Sequence, residues 1–142
     1  AYEISRGLVG SEMCIRDSGD EAGIAVMGHD YSALALHRGA AGNELVLYRG
    51  KVTARTAEGV AEEEGVLRLP FAGDTVTLRL YFEDGGTVHY DYELNGQETL
   101  LDGSFPAAKS TWSGAKPALF ARNTANRAGG QGRFGAVSFE RL

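Results

Sequence analysis

The chain has 142 residues, enough for one domain with one buried core, and its 43% hydrophobic and 23% charged content is ordinary for a globular protein. A formal charge of -5 argues against a nucleic-acid partner, which needs a basic footprint, and no apolar stretch approaches the length of a membrane span. The one cysteine, Cys14, excludes an intrachain disulfide, and 20 glycines against 3 prolines point to many turns between short strands.

Residues 2–18, YEISRGLVGSEMCIRDS, have no clean period of two, and a helix would give them only a ragged apolar face. The phrase resembles translated sequencing-adapter read-through, as found at the ends of proteins from metagenomic assemblies; a genuine N-terminal arm is the other reading. We take residues 1–18 as a non-native segment and residues 19–142 as the domain. The segment is expected to be disordered or a loosely docked strand or helix, and its deletion to change stability by less than about 1 kcal/mol.

From Gly19 the strands come quickly. Residues 23–28 are short and apolar. Residues 31–38 alternate, with Leu34 and Leu36 on one face and Tyr31, Ala33, Ala35 and His37 on the other. After a Gly-containing connection comes a strand at 44–49, and 51–56 continue the sheet. Residues 58–64 carry four glutamates, with Gly59 and Gly65 interrupting any helix, and read as a solvated loop or bulging hairpin rather than a helix. A short strand at 66–70 precedes the clearest one, 75–83. There Val76, Leu78, Leu80 and Phe82 point inward, and Thr77, Arg79 and Tyr81 outward.

Residues 87–94 alternate again, Val88, Tyr90, Tyr92 and Leu94 against His89, Asp91 and Glu93. Asn95-Gly96 follows, the dipeptide suited to a tight hairpin because both positions accept positive φ. A short return strand, a loop through Trp112, an apolar run at 118–121, a polar Gly-rich loop and a last strand from Phe134 finish the chain. With no sustained helical period, the pattern is that of an antiparallel sandwich or barrel. The expected core is Ile24, Val26, Leu34, Leu36, Leu45, Leu47, Val76, Leu78, Leu80, Phe82, Val88, Tyr90, Tyr92, Leu119 and Val137.

Two phrases, YDYELNGQETLLDGSFPA at 90–107 and WSGAKPALFARN at 112–123, together with AGIAVMGHDYSALAL at 22–36, carry a resemblance. They resemble the C-terminal β-sandwich of glycoside hydrolase family 43, the β-xylosidases and α-arabinofuranosidases, in content and in order, over residues 19–142. The resemblance implies a concanavalin-A-like jelly roll, all-β, with two antiparallel sheets face to face and its first strand or strands missing. It implies an accessory domain packed against a five-bladed catalytic propeller, in a parent enzyme acting on plant-wall polysaccharide. The propeller is then the partner, xylan or arabinoxylan oligosaccharide a second one, and neither nucleic acid nor membrane is involved. A periplasmic or extracellular location fits that role better than the cytoplasm. The resemblance places the catalytic acids on the propeller and calls for no cofactor.

The residues themselves agree with a non-catalytic domain. Glycosidases use two carboxylates flanking the scissile bond, one with a raised pKa. Asp91 and Glu93 lie about 6 to 7 Å apart along one strand, but on an outward face with no reason for such a shift. His29, His37 and His89 make no close metal-ligand spacing, and no aspartate-rich loop offers an oxygen cage, so no metal is expected. The outward residues Tyr31, His37, Arg79, Tyr81, His89, Asp91 and Glu93 read either as a solvated or domain-facing sheet, or as an aromatic and polar surface for sugar. Trp112 reads as a sugar platform or as a lid over the sandwich end. An independent carbohydrate-binding module is therefore the alternative function.

Overall fold

The computed structural model describes residues 7–15, 19–28, 30–52, 61–73, 75–83, 86–106, 116–124 and 132–140. Their regular structure is all strand: β1 (Gly7–Ile15), β2 (Asp20–Met27), β3 (Asp30–Gly39), β4 (Gly42–Val52), β5 (Ala61–Phe71), β6 (Thr75–Phe82), β7 (Thr87–Leu94), β8 (Gln97–Leu100), β9 (Phe105–Pro106), β10 (Lys116–Asn123) and β11 (Gly132–Glu140). A six-stranded sheet runs β11-β1-β6-β7-β8, with β9 beside β7, and a five-stranded sheet runs β10-β2-β3-β4-β5. Each neighbouring pair is antiparallel. This is the antiparallel jelly-roll sandwich expected from the sequence.

The period of two decides what each strand buries. On β6, Val76, Leu78, Leu80 and Phe82 are buried and the residues between them are not. They meet Ile24, Val26, Leu34, Leu36, Leu45 and Leu47 from the facing sheet in one continuous core. Tyr90 enters that core edge-on to Phe105, with ring centroids 6.2 Å apart. Its hydroxyl meets the Ser32 hydroxyl at 2.8 Å, a buried polar contact between the two sheets. At the β7–β8 hairpin Asn95 and Gly96 both have positive φ, 53° and 80°, as their dipeptide requires.

Several expectations need correction. Leu119 and Val137 are 37% and 53% exposed, because among the described residues β10 and β11 are edge strands with a neighbour on one side only. Tyr92 is only partly buried against the core, whereas Phe71, Leu101 and Phe105 belong to it. Of the two forms expected for residues 58–64, a solvated loop or a bulging hairpin, residues 61–64 take the second: they start β5, which pairs with β4 through an irregularity at Leu47/Tyr48. The expected continuation at 53–56 lies outside the described residues.

The N-terminal segment, expected to be disordered or a loosely docked strand or helix, is a strand over part of its length. Residues 7–15 form β1, an interior strand that pairs with β11 on one side and β6 on the other. Its register sets Val9 opposite Leu80, Ser11 opposite Leu78 and Met13 opposite Val76. A ladder is built from backbone groups that every residue carries, so a segment without strand alternation can still fill such a position.

Candidate functional site

The polar side chains stand on the two outer faces of the sandwich, and the residues singled out in the sequence divide between them. Tyr31 and His37 belong to the five-stranded sheet; Arg79, Tyr81, His89, Asp91 and Glu93 belong to the six-stranded one. They do not line one surface. Trp112 lies outside the described residues.

On the six-stranded sheet Arg79 is the hub. Its Nε donates to Asp91 Oδ1 at 2.7 Å and its Nη2 to Asp91 Oδ2 at 3.2 Å. Its Nη1 donates to Glu98 Oε1 at 2.8 Å and lies 3.1 Å from Glu93 Oε2. The Tyr81 hydroxyl donates to Asp91 Oδ2 at 2.9 Å. Strand register explains the cluster: Arg79 sits opposite Asp91, and Glu93 opposite Glu98, so one guanidinium offsets like charges that would otherwise face each other.

Asp91 is not on a solvated face; it is 3% exposed. Burial would penalise that carboxylate without the two-pronged grip of Arg79. Burial and the bond to Asp91 push the Tyr81 hydroxyl up to about 12, so it remains a donor at neutral pH. Burial acts to lower the Arg79 pKa, but the bonds to Asp91 and Glu98 more than reverse this. His89 Nε2 lies 3.1 Å from Glu83 Oε1 at the periphery. These groups satisfy one another, which makes the cluster a clamp across β6, β7 and β8.

The five-stranded sheet carries a different arrangement. Pairing of β10, β2, β3 and β4 sets Arg122 beside Glu21 and His37, Phe120 beside Gly23 and Ala35, and Ala118 beside Ala25 and Ala33. The Glu21 side chain is fully buried. It accepts from the Tyr48 hydroxyl at 2.5 Å and from Arg122 Nε at 2.8 Å, so its charge is paired and hydrogen-bonded. His37 Nδ1 lies 3.1 Å from Glu21 Oε2 but out of hydrogen-bond alignment. Arg122 lies over the Tyr48 and Phe120 rings, 5.1 and 5.7 Å from their centroids.

The network then runs outward. Arg122 Nη2 and Nη1 donate to Glu63 at 2.5 and 3.3 Å, and the Tyr31 hydroxyl donates to Glu63 Oε2 at 2.5 Å. Burial and the bond to its glutamate raise the pKa of Tyr31 and of Tyr48, keeping both as donors. The Tyr31 ring is able to lie down because its neighbour across the ladder is Gly50; a Cβ there would come within 2.0 Å of the ring.

Burial acts to raise the Glu63 carboxyl, but bonds from Arg122 and Tyr31 and the Arg122 charge outweigh it and hold it below the usual range. A carboxyl lowered in the folded state stabilises above its unfolded pKa, about 4.3 for Glu, and the contribution fades as pH falls through the folded value. Glu63→Gln is therefore expected to be less stable than the parent at pH 7, with the gap closing below about pH 4.3. Urea midpoints across that range check it; a gap of the same size at low pH would show that the loss does not come from the Glu63 charge.

A cavity of about 290 Å³ opens above this network. Ala25 and Ala33 form its floor, Met27, Tyr31 and Phe120 its walls, and Glu63 and Arg122 its charged end. A second, polar cavity of about 370 Å³ is lined by Asp30, Arg49, Gly50, Lys51, Glu63 and Glu64, and so shares Glu63 with the first. Among the described residues no group of three or more His, Cys, Asp or Glu is arranged to hold a metal ion. The shape and lining suit a small organic molecule with an apolar face and a polar rim.

Sequence reasoning had not singled out Glu21, Tyr48, Glu63, Phe120 or Arg122. The signal available was weak: Arg122 shares a strand face with Phe120 in an otherwise apolar run. Its partner Glu21 lies 101 residues away.

No family model matches the chain, and no curated protein is similar enough to count as a relative. Solved structures do match. A GH43 glycoside hydrolase engineered to display both endo-xylanase and exo-arabinofuranosidase activity superposes with a TM-score of 0.82 at 14% identity, over 97% of this chain and 29% of that one. The bifunctional GH43-CE protein of Bacteroides eggerthii gives 0.82 at 16% identity, over 97% and 18%. The GH43 protein BlXynB of Bacillus licheniformis gives 0.77 at 12% identity, over 97% and 28%. The chain thus spans 18–29% of the length of these proteins, and its fold is the β-sandwich that these GH43 glycoside hydrolases carry as one part of a longer chain.

Proposed function

We propose that this chain is an accessory β-sandwich of a glycoside hydrolase of the β-xylosidase or α-arabinofuranosidase type, acting on plant-wall polysaccharide and packing against a catalytic propeller. The observation that carries the reading is unequal coverage: nearly all of this chain matches, against less than a third of each enzyme. The side-chain geometry supports a division of labour. Glycoside hydrolysis needs two carboxylates flanking a bond, one of them free to deliver a proton. Glu21 is sealed from solvent, and Asp91 is held by Arg79 and Tyr81.

The test is to sequence the gene outward from the Gly19 codon and to assay the purified chain on chromogenic xyloside and arabinofuranoside. A glycosidase domain in the same reading frame, with no chromophore released by the chain alone, is the expected result. A neighbouring domain of unrelated chemistry overturns the parent enzyme; turnover by the chain alone overturns the accessory role. A second reading, a carbohydrate-binding module, is favoured by one observation, the aromatic-walled cavity over Ala25 and Ala33.

A further inference from the structure

We propose that the cavity on the outer face of the five-stranded sheet binds a neutral saccharide of one or two rings, its ring face on Ala25 and Ala33 beside Phe120 and its hydroxyls on Glu63 and Arg122. The choice of a saccharide rests on the glycosidase reading above; the location rests on the geometry alone.

Size favours a small ligand. The cavity, about 290 Å³, is at the lower end of small-molecule sites, which run from about 300 to 1,000 Å³. A protein partner needs breadth instead, about 800 Å² on each side. The lining fits a sugar ring in particular. The alanine floor ends at Cβ and so is flat, and the half-buried rings of Tyr31 and Phe120 stand beside it. A sugar ring offers a C–H face to such a surface and keeps its hydroxyls at the rim.

The charged end selects against ions. Arg122 and Glu63 are bonded to each other at 2.5 Å, so their charges offset. An anion would meet the Glu63 carboxylate and a cation the Arg122 guanidinium. A hydroxyl, donor and acceptor at once, satisfies both. Both groups are already fixed, Arg122 from beneath by Glu21 and Glu63 from the side by Tyr31, so little ordering is left to do on binding.

Xylobiose, xylotriose and an uncharged-versus-uronic pair of disaccharides are titrated calorimetrically into the full chain. Saturable binding of the neutral sugars at millimolar concentration is expected. The methyl resonances of Ala25 and Ala33 should shift with the same midpoint, a readout that needs no variant. Ala33→Leu fills the floor and Phe120→Ala removes a wall; each should weaken binding by about fivefold or more, equivalent to about 1 kcal/mol. Urea midpoints confirm that the variants are folded.

Undiminished binding by folded Ala33→Leu overturns the site, as does loss of binding on Tyr81→Ala without shifts at Ala25 and Ala33. Binding of the uronic disaccharide alone overturns the neutral ligand. A dimer in light scattering that Ala33→Leu dissolves makes the face a contact between copies and overturns the proposal. A null titration overturns the site and leaves the gene-level result standing; a gene without a glycosidase domain removes the parent enzyme and leaves a measured isotherm standing.

Discussion

Truncation to residues 19–142 is expected to abolish cooperative unfolding in urea. The reason lies in where β1 runs. It pairs with β6 from Gly7↔Phe82 to Cys14↔Thr75 and with β11 from Leu8↔Glu140 to Ile15↔Gly132. Its removal takes away both ladders, and among the described residues β11 has no other partner in its sheet. At about 0.5–1.5 kcal/mol net per backbone bond, two ladders approach the whole stability of a domain, about 5–15 kcal/mol. Leu78 and Leu80 also lose the strand beside them, and the bared edge of β6 becomes a template for other copies. An interior strand raises the expected cost above the less than about 1 kcal/mol that goes with a loosely docked arm. Circular dichroism and fluorescence through a urea titration decide: a steep single transition at the parent midpoint in the truncated chain would show β1 to be dispensable.

Leu80→Ala is expected to cost about 2 to 5 kcal/mol, the range for a buried leucine cut back in a core that cannot close around the gap. Leu80 is fully buried on β6, flanked in register by Val9 and Tyr90. Strands on both sides limit relaxation, which places the loss toward the upper end. Leu100→Ala is the comparison, because Leu100 is 64% exposed on β8 and should change stability by no more than about 0.5 kcal/mol. Equal losses from the two substitutions would mean that the inner face of the sheet is wrongly assigned.

Much of the fold was legible from local pattern. The alternation at 75–82 and 87–94 and the Asn95-Gly96 turn each state a preference within a few residues, and the backbone obeys them. Position within a sheet is not written locally. Leu119 and Val137 alternate as core residues do, but become exposed because their strands fall at edges. The outward residues do stand on outer faces, with Asp91 buried there by its neighbours, but alternation does not say which sheet a strand joins. Tyr31 and His37 thus parted from Arg79, Tyr81 and Asp91. The Glu21–Arg122 pair depends on β2 meeting β10, a long-range pairing with no local trace.

The contact between Ser32 and Tyr90 settles a question of alignment that the hydrocarbon around it leaves open. Two aliphatic faces attract each other at many relative offsets, since leucine against isoleucine is nearly as good as leucine against valine, and such cores lose uniqueness before they lose stability. A hydroxyl is less tolerant: away from its partner it is stranded without water. Only one offset of the two sheets brings the Ser32 and Tyr90 oxygens to 2.8 Å. Sliding the layers by one residue pair, about 7 Å along a strand, would leave both stranded. The pair works as a vernier, converting an adhesive contact between layers into a single setting, and with it the placement of β3 and of the outer face that β3 carries.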